Sequence, residues 1–163
     1  MKIGIISDTH DHKTHTKKAV QFFLQKSVDQ VIHCGDFCSP FMMNLFKPLK
    51  MIAVFGNNDG DLFLLMKKAE EAGVELKGGF WETTLNDKKL AVYHGTHESI
   101  TQALLYCGFY DVVITGHTHV IKNEYVGKTL HLNPGSANGF EETPTIMILD
   151  LEIVKVEVIS LID

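Results

Sequence analysis

Apolar residues along this chain follow two alternating rhythms. KIGIIS (residues 2–7), VDQVIHC (28–34) and MIAVF (51–55) are short and dense in β-branched residues, as strands buried on both faces are. Between them, KKAVQFFLQKS (17–27) spaces Val20, Phe23 and Leu24 at helical intervals. Ser39-Pro40 reads as a cap with proline in the first helical turn, opening the helix FMMNLFK, and Asp61 caps a helix that runs through Ala72 and stops at Gly73. The first 73 residues therefore form three successive β–loop–α units, an order that requires parallel strands with right-handed crossovers.

The second half changes character. Phe80–Leu85 and Lys89–Tyr93 flank Asn86-Asp87, the pattern of an antiparallel hairpin. A helix is predicted from Glu98 to Cys107, ended by Gly108, then a strand at Asp111–Thr115. Ile121–Val126 and Thr129–Leu132 pair across Gly127-Lys128, and Thr145–Leu151 and Ile153–Leu161 close the chain. In the last of these, Lys155 and Glu157 alternate with Val154, Val156 and Val158, as in a half-exposed edge strand. Mixed strands with helices at both ends of the order predict two packed sheets between helical layers, in a single domain over residues 1–163.

Composition narrows the class. At 163 residues, 45% hydrophobic and 21% charged, the chain has the makeup of one globular domain. No apolar run reaches the roughly 18 residues of a membrane span. MKIGIISDTH begins as a strand and lacks a signal-peptide core, so export is not expected. Three cysteines, Cys34, Cys38 and Cys107, cannot all pair with one another, which points to a reducing, cytoplasmic setting with all three as packing residues. A net charge of −5 without a long basic run gives no support to general nucleic-acid binding. A closed homodimer or higher homo-oligomer is the default assembly.

The chemistry lies just past the strands. Asp8-Thr9-His10, Asp36, Asn57, His94 and His117-Thr118-His119 each follow an apolar run. In an open α/β sheet, the loops leaving the carboxyl ends of strands converge on one crevice. Asp8 and His10, two apart in an extended segment, project to the same side, and His117 and His119 repeat that spacing. Seven oxygen and imidazole donors exceed the four that one tetrahedral zinc accepts. They suit two divalent metals sharing a carboxylate, for which Asp36 is the natural bridge, with Asn57 offering an amide oxygen and His94 a nitrogen. Imidazole donors favour Mn, Fe, Ni or Zn over Mg or Ca. The chain reads as a two-metal hydrolase, and paired cations would keep a phosphate substrate compatible with its negative charge.

Asp8-Thr9-His10, Gly35-Asp36, Gly56-Asn57-Asn58-Asp59, His94-Gly95 and Gly116-His117-Thr118-His119 stand in the order of the calcineurin-like metallophosphoesterase signature, and the resemblance covers essentially the whole chain. With Asn133-Pro134-Gly135-Ser136 and the short length, the chain most resembles the small YfcE-like phosphodiesterase subfamily. That resemblance implies a four-layer αββα sandwich of two mixed β-sheets flanked by helices, and two metals, Mn²⁺ the foremost activator. It implies that Asp8, His10, Asp36 and His119 hold one ion, and Asp36, Asn57, His94 and His117 the other, with Asn57 and His94 also facing substrate. The expected activity is phosphodiester hydrolysis of a small substrate by a metal-bridging hydroxide. The contrasting readings are a catalytically silent interaction scaffold, which should have lost several of these histidines, and a phosphomonoesterase, which should carry larger substrate-gripping insertions.

One position departs from the pattern. Many members of the superfamily carry Gly-Asn-His-Asp, whose histidine protonates the leaving alkoxide; here Asn58 stands in that catalytic place. An amide cannot give up a proton and regain it at neutral pH, and Asp59, which would orient such a histidine, is left to order its loop. His12, His15 and His97 are candidate replacement donors, read mainly as solvated loop or helix-end histidines; His131, near the Asn133–Ser136 turn, is a weaker candidate for approaching the site, and His33 reads as a hydrogen-bonded core residue. Lys13, Lys17 and Lys18 read as a solvated helix face. Phe37, Phe41, Phe63 and Phe140 are candidates for an apolar rim, with core packing the alternative for each.

Overall fold

The computed structural model describes residues 1–140 and 142–162. Three strands lead the first half: β1 (Lys2–Ile6), β2 (Gln30–His33) and β3 (Met51–Ala53). They alternate with α1 (Lys13–Gln25), a 3-10 helix (Pro40–Phe46) and α2 (Leu62–Ala72). β4 (Val74–Leu76) follows α2 directly, then β5 (Phe80–Leu85), β6 (Lys88–Tyr93), α3 (Glu98–Tyr106) and β7 (Val112–Ile114). The chain ends with β8 (Lys122–Val126), β9 (Thr129–Asn133), β10 (Thr145–Asp150) and β11 (Lys155–Ser160). Among the described residues, no helix is long and apolar enough to cross a membrane.

The strands form two mixed sheets, ordered β11-β10-β1-β2-β3-β4 and β5-β6-β7-β9-β8. β1, β2, β3 and β4 run parallel to one another, as do β6, β7 and β9. Residue alternation along β1 shows how one strand serves two layers. Ile3 and Ile5 meet Val92, Ile114 and Leu132 of the second sheet, while Ile6 faces Phe23 of α1, Phe46 and Leu65 of α2. On the outer face of the second sheet, Ala91 and Val113 pack under Leu105 of α3. The layers are thus helices, sheet, sheet, helix, the αββα sandwich that the resemblance implied. Burial of each large aliphatic or aromatic side chain in these layers contributes about 1.5–3 kcal/mol.

Boundaries differ from the sequence expectations in physical ways. α1 begins at Lys13 rather than Lys17, because the His12 ring accepts the amide of His15 and caps the first turn. The segment after Ser39-Pro40 is a 3-10 helix and not an α-helix, and at seven residues it is longer than such helices usually run. Ser39 does not cap it; both its amide and its hydroxyl donate to the Asp11 carboxylate. β4 was not anticipated, since three residues, VEL, carry no usable period. Asp61 and Gly73 bound α2 as expected, and β11 is an edge strand.

His33 sits inside this frame. Its Nδ1 accepts the Gly35 amide at 3.1 Å and its Nε2 lies 3.3 Å from the Thr9 hydroxyl, while the ring stacks on Phe37 with centroids 3.6 Å apart. Burial, which denies the imidazolium its water, pushes its pKa down to about 3. The unfolded chain takes a proton here below about pH 6.5 and the folded chain does not, so stability falls as pH drops through that window. His33→Gln should therefore lose about 2 kcal/mol less than the parent between pH 7 and pH 5, read from urea titrations of both proteins. Phe23→Ala, which empties the space between α1 and the first sheet, should cost about 3–5 kcal/mol by the same measurement.

Candidate metal centre

The five motif loops leave the carboxyl ends of β1, β2, β3, β6 and β7, so parallel pairing delivers them to one side of the sandwich. Backbone bonds then stitch the loops together: Asp8 N–H to Gly35 O, His10 N–H to Asp36 O, and Gly116 N–H to His94 O. The last of these joins strand ends within the second sheet, and the His117 amide, donating to Asp8 Oδ2 at 3.0 Å, joins the second sheet to the first. Asp8, His10, Asp36, His117 and His119 all adopt left-handed backbone, with φ from 37° to 66°. That conformation costs a non-glycine residue on the order of 1–3 kcal/mol, and it turns side chains inward at a functional site.

Two positions admit no side chain. A Cβ on Gly116 would collide with Ser7 Oγ and lie 2.7 Å from Asp8 Oδ2. A Cβ on Gly56 would collide with the Asp36 carboxylate. Bare backbone at both places lets the two carboxylates lie against the neighbouring loops.

Six of the seven expected donors each come within 3.5 Å of another, and His117 lies beside them through its ring. Asp8 Oδ1 lies 3.5 Å from His10 Nε2 and 3.3 Å from His119 Nε2. Asp36 Oδ2 lies 3.5 Å from His10 Nε2 and 3.3 Å from His94 Nε2. His94 Nε2 is 3.1 Å from Asn57 Oδ1, and the rings of His94 and His117 are 5.2 Å apart. Asp8, His10 and His119 form one compact group of donor atoms, and Asp8, Asp36 and His94 a second. Asp8 thus approaches both groups, where only Asp36 was expected to be shared. His117 comes closest through its backbone amide and its packing on His94.

The donors fit a cation. Asp8 and Asp36 are buried, yet Asp8 Oδ1 and His10 Nε2 make no hydrogen bond among the described residues. The Nδ1 of His94 lies 2.7 Å from the Cys34 carbonyl, which can only accept, so Nδ1 carries the hydrogen. Its Nε2 then faces two oxygens, Asn57 Oδ1 and Asp36 Oδ2, that also only accept. Either a second proton or a shared cation must stand between them. Burial alone would lower the His94 pKa, but the Asp36 and Asp8 carboxylates outweigh it and raise it. The two carboxylates respond in the opposite sense. Burial pushes Asp8 up, but His10 and His119, with His94, hold it well below its ordinary value; burial likewise opposes the fall of Asp36, which His94 and Asn58 bring about. A divalent ion taking that proton's place is the exchange by which metal binding releases protons.

The residues of the loop 56–59 take structural partners. Asn58 donates to Asp36 through its backbone and its side chain, and Asp59 accepts the amides of Gly56, Cys38 and Asp36 at 2.7, 2.9 and 3.1 Å. Burial raises the Asp59 pKa. Asn133 donates to Gly116 O and Thr118 Oγ1, and Ser136 Oγ to Asp8 O, so the Asn133–Ser136 turn braces two of the motif loops.

Other candidates separate by location. His12 and His15 stack on one another with centroids 3.9 Å apart, His15 also bonding the Asn138 carbonyl. His97 opens α3 without capping it through its side chain. His131 bonds Thr115 Oγ1 behind the second sheet. Phe37 is core, Phe63 is 84% exposed on α2 beside Met66, Val74 and Leu76, and Lys13 covers the Phe41 ring. Of the four rim candidates only Phe140 borders His10 and His119, across a cavity of about 150 Å³. Three contacts escaped the sequence reading: Cys38 Sγ lies 3.3 Å from His10 Nδ1, the Thr96 hydroxyl donates to Asn57, and the Cys34 carbonyl orients His94. Burial and the surrounding aspartates push the Cys38 thiol up to about 12, so it stays neutral beside His10. A backbone carbonyl leaves no trace in a side-chain motif.

Comparison with known proteins agrees with this geometry. The calcineurin-like phosphoesterase superfamily domain matches residues 1–153. Phosphodiesterase MJ0936 of Methanocaldococcus jannaschii is 42% identical over 156 residues, covering 93% of this chain and 94% of that protein. Phosphodiesterase YfcE of Escherichia coli is 25% identical over 153 residues, covering 85% of this chain and 80% of its own. A solved archaeal phosphodiesterase superposes with a TM-score of 0.93 at 40% identity, covering 98% of this chain and 99% of that one. A shared fold, ordered motif loops and a donor set suited to divalent metal thus coincide in one molecule, and the chain belongs to the calcineurin-like phosphoesterase superfamily, among its small YfcE-like members, as a phosphoesterase.

Proposed function

We propose that this single-domain protein is a phosphodiesterase working with two divalent metal ions, Mn²⁺ foremost and Ni²⁺, Fe²⁺ or Zn²⁺ as alternatives, on a small diester in the cytoplasm. The observation that carries the reading is the placement of Asp36 Oδ2 within 3.5 Å of nitrogens from two opposed loops, His10 and His94. One carboxylate facing both is what sharing it between two cations requires. Asp8, His10, Asp36 and His119 would hold one ion, and Asp36, Asn57, His94 and His117 the other. When bound, such a pair would lower the pKa of a shared water and draw charge from the phosphoryl oxygens.

The chain's own residues do the rest. Asp8 and Asp36 stay ionised, and the Cys34 carbonyl holds His94 with Nε2 facing inward. Asn57 is exposed, with Thr96 bonded to its Oδ1, and its amide N–H would meet a phosphoryl oxygen. His94, buried with Nδ1 on the Cys34 carbonyl and Nε2 turned to the donors, has no N–H left for one. The chain contains no arginine, so no guanidinium fork is present to grip a dianionic monoester. That absence, together with the names of the relatives, favours diesters over monoesters. No proton donor stands at position 58, so the leaving group must depart largely unassisted. Retention of every candidate ligand argues against a silent scaffold.

Chelator-treated protein should be inactive on diesters and regain activity with Mn²⁺. Asp36→Asn and His94→Ala should each lower kcat/KM by at least about 100-fold under saturating Mn²⁺, more than loss of an outer partner typically costs. Diester cleavage that survives both substitutions would place the chemistry elsewhere. Across a series of aryl diesters, log kcat/KM should fall steeply as the leaving-group pKa rises, since general-acid help worth about 10²–10⁴-fold is missing. A flat dependence would reveal a proton donor outside the loop 56–59.

A further inference from the structure

We propose that Asn58 is a positioning residue: it clamps both oxygens of the Asp36 carboxylate and so sets the direction in which that carboxylate offers its remaining lone pairs. The Asn58 backbone N–H donates to Asp36 Oδ1 at 2.8 Å, and its side-chain Nδ2 donates to Oδ2 at 2.8 Å. A carboxylate has about four lone-pair sites. Two neutral donors, one per oxygen, occupy two of them without cancelling the charge; one site stays open on Oδ1 and one on Oδ2, the oxygen that faces both His10 Nε2 and His94 Nε2.

Three features make the clamp rigid. Asp59 accepts the amides of Asp36 and Cys38 while Asp36 accepts from Asn58, so the two loops hold each other reciprocally. The left-handed backbone of Asp36, with φ of 60°, fixes where its Cβ leaves the chain. Gly56 lies so close to the same carboxylate that a Cβ there would collide with it. The amide suits the task because it stays neutral at every relevant pH and cannot lend its hydrogen to a leaving group while bonded to Asp36. Position 58 has thus exchanged a place in proton transfer for a place in holding the shared ligand.

This inference rests on the two-metal reading, and calorimetric titration of the chelator-treated full chain with MnCl₂ separates the two. Wild-type protein should bind Mn²⁺, and Asp36→Asn should abolish tight binding; failure of either sinks the metal reading and the clamp with it. If both hold, Asn58→Ala should weaken Mn²⁺ binding by about 10–100-fold, the usual effect of losing an outer partner of a metal ligand. Asn58→Gln, which keeps a donor amide on a longer arm, should recover part of that loss. At saturating Mn²⁺, the slope of log kcat/KM against leaving-group pKa should not change in Asn58→Ala, whereas loss of a proton donor would steepen it. The electron paramagnetic resonance spectrum of stoichiometric Mn²⁺ should lose coupled-pair character in Asn58→Ala. Circular dichroism checks folding, which this exposed side chain should barely affect. Wild-type Mn²⁺ affinity and an unchanged spectrum in Asn58→Ala, or a steeper slope, would overturn the proposal.

Discussion

Two buried carboxylates within reach of one another set the terms for the rest of this molecule. Asp8 and Asp36 lie past the ends of adjacent parallel strands, shielded from water, with the imidazoles of His10, His94 and His119 beside them. Removing an ion from water costs several kcal/mol even after relaxation, roughly per charge. The fold offsets that cost with backbone amides from His117 and Asn58, with the Asn58 side chain, and with His10, His94 and His119. What these leave uncompensated is an oxygen-and-nitrogen pocket whose atoms face one another without hydrogens to share. Such a pocket suits divalent metal.

The two-sheet architecture is what makes the arrangement affordable in geometry. A single parallel sheet would bring Asp8, Asp36 and Asn57 to one edge, but the imidazoles after β6 and β7 belong to the other sheet. Packing of Ile3, Ile5 and Ile32 against Val92, Ile114 and Leu132 fixes the spacing between the two sets. His94, reaching from the second sheet to the Cys34 carbonyl of the first, and the His117 amide on Asp8 then lock the seam. Apolar packing between the sheets and polar chemistry at their ends are therefore one construction, and loosening the first would misplace the second.

Much of this was legible in the residues. The donors all follow apolar runs, at the strand ends where loops leaving a parallel sheet converge on one crevice. The order of β–loop–α units, the Asp61 and Gly73 boundaries of α2 and the αββα layering followed from pattern and resemblance. His33 was recognisable as a core histidine because it lies within a strand and not after one. Less could be read where period is short or contacts are long-range. β4 has three residues, and the pattern of the run after Pro40 does not distinguish a 3-10 helix from an α-helix. The four phenylalanines have identical chemistry, yet Phe37 is buried against His33 and Phe63 lies exposed on α2.

The sequence by itself determined which kinds of donor are present, their order, and their attachment to strand ends, because alternation and residue type are local properties of the chain. Only the tertiary structure decided that Asp8 reaches both donor groups, that Cys38 meets the back of His10, and that the Asn58 amide turns onto Asp36 instead of outward. Those outcomes depend on distances between segments far apart in the chain. They are set by how two sheets pack and by left-handed turns at five of the donors, which no motif spacing encodes.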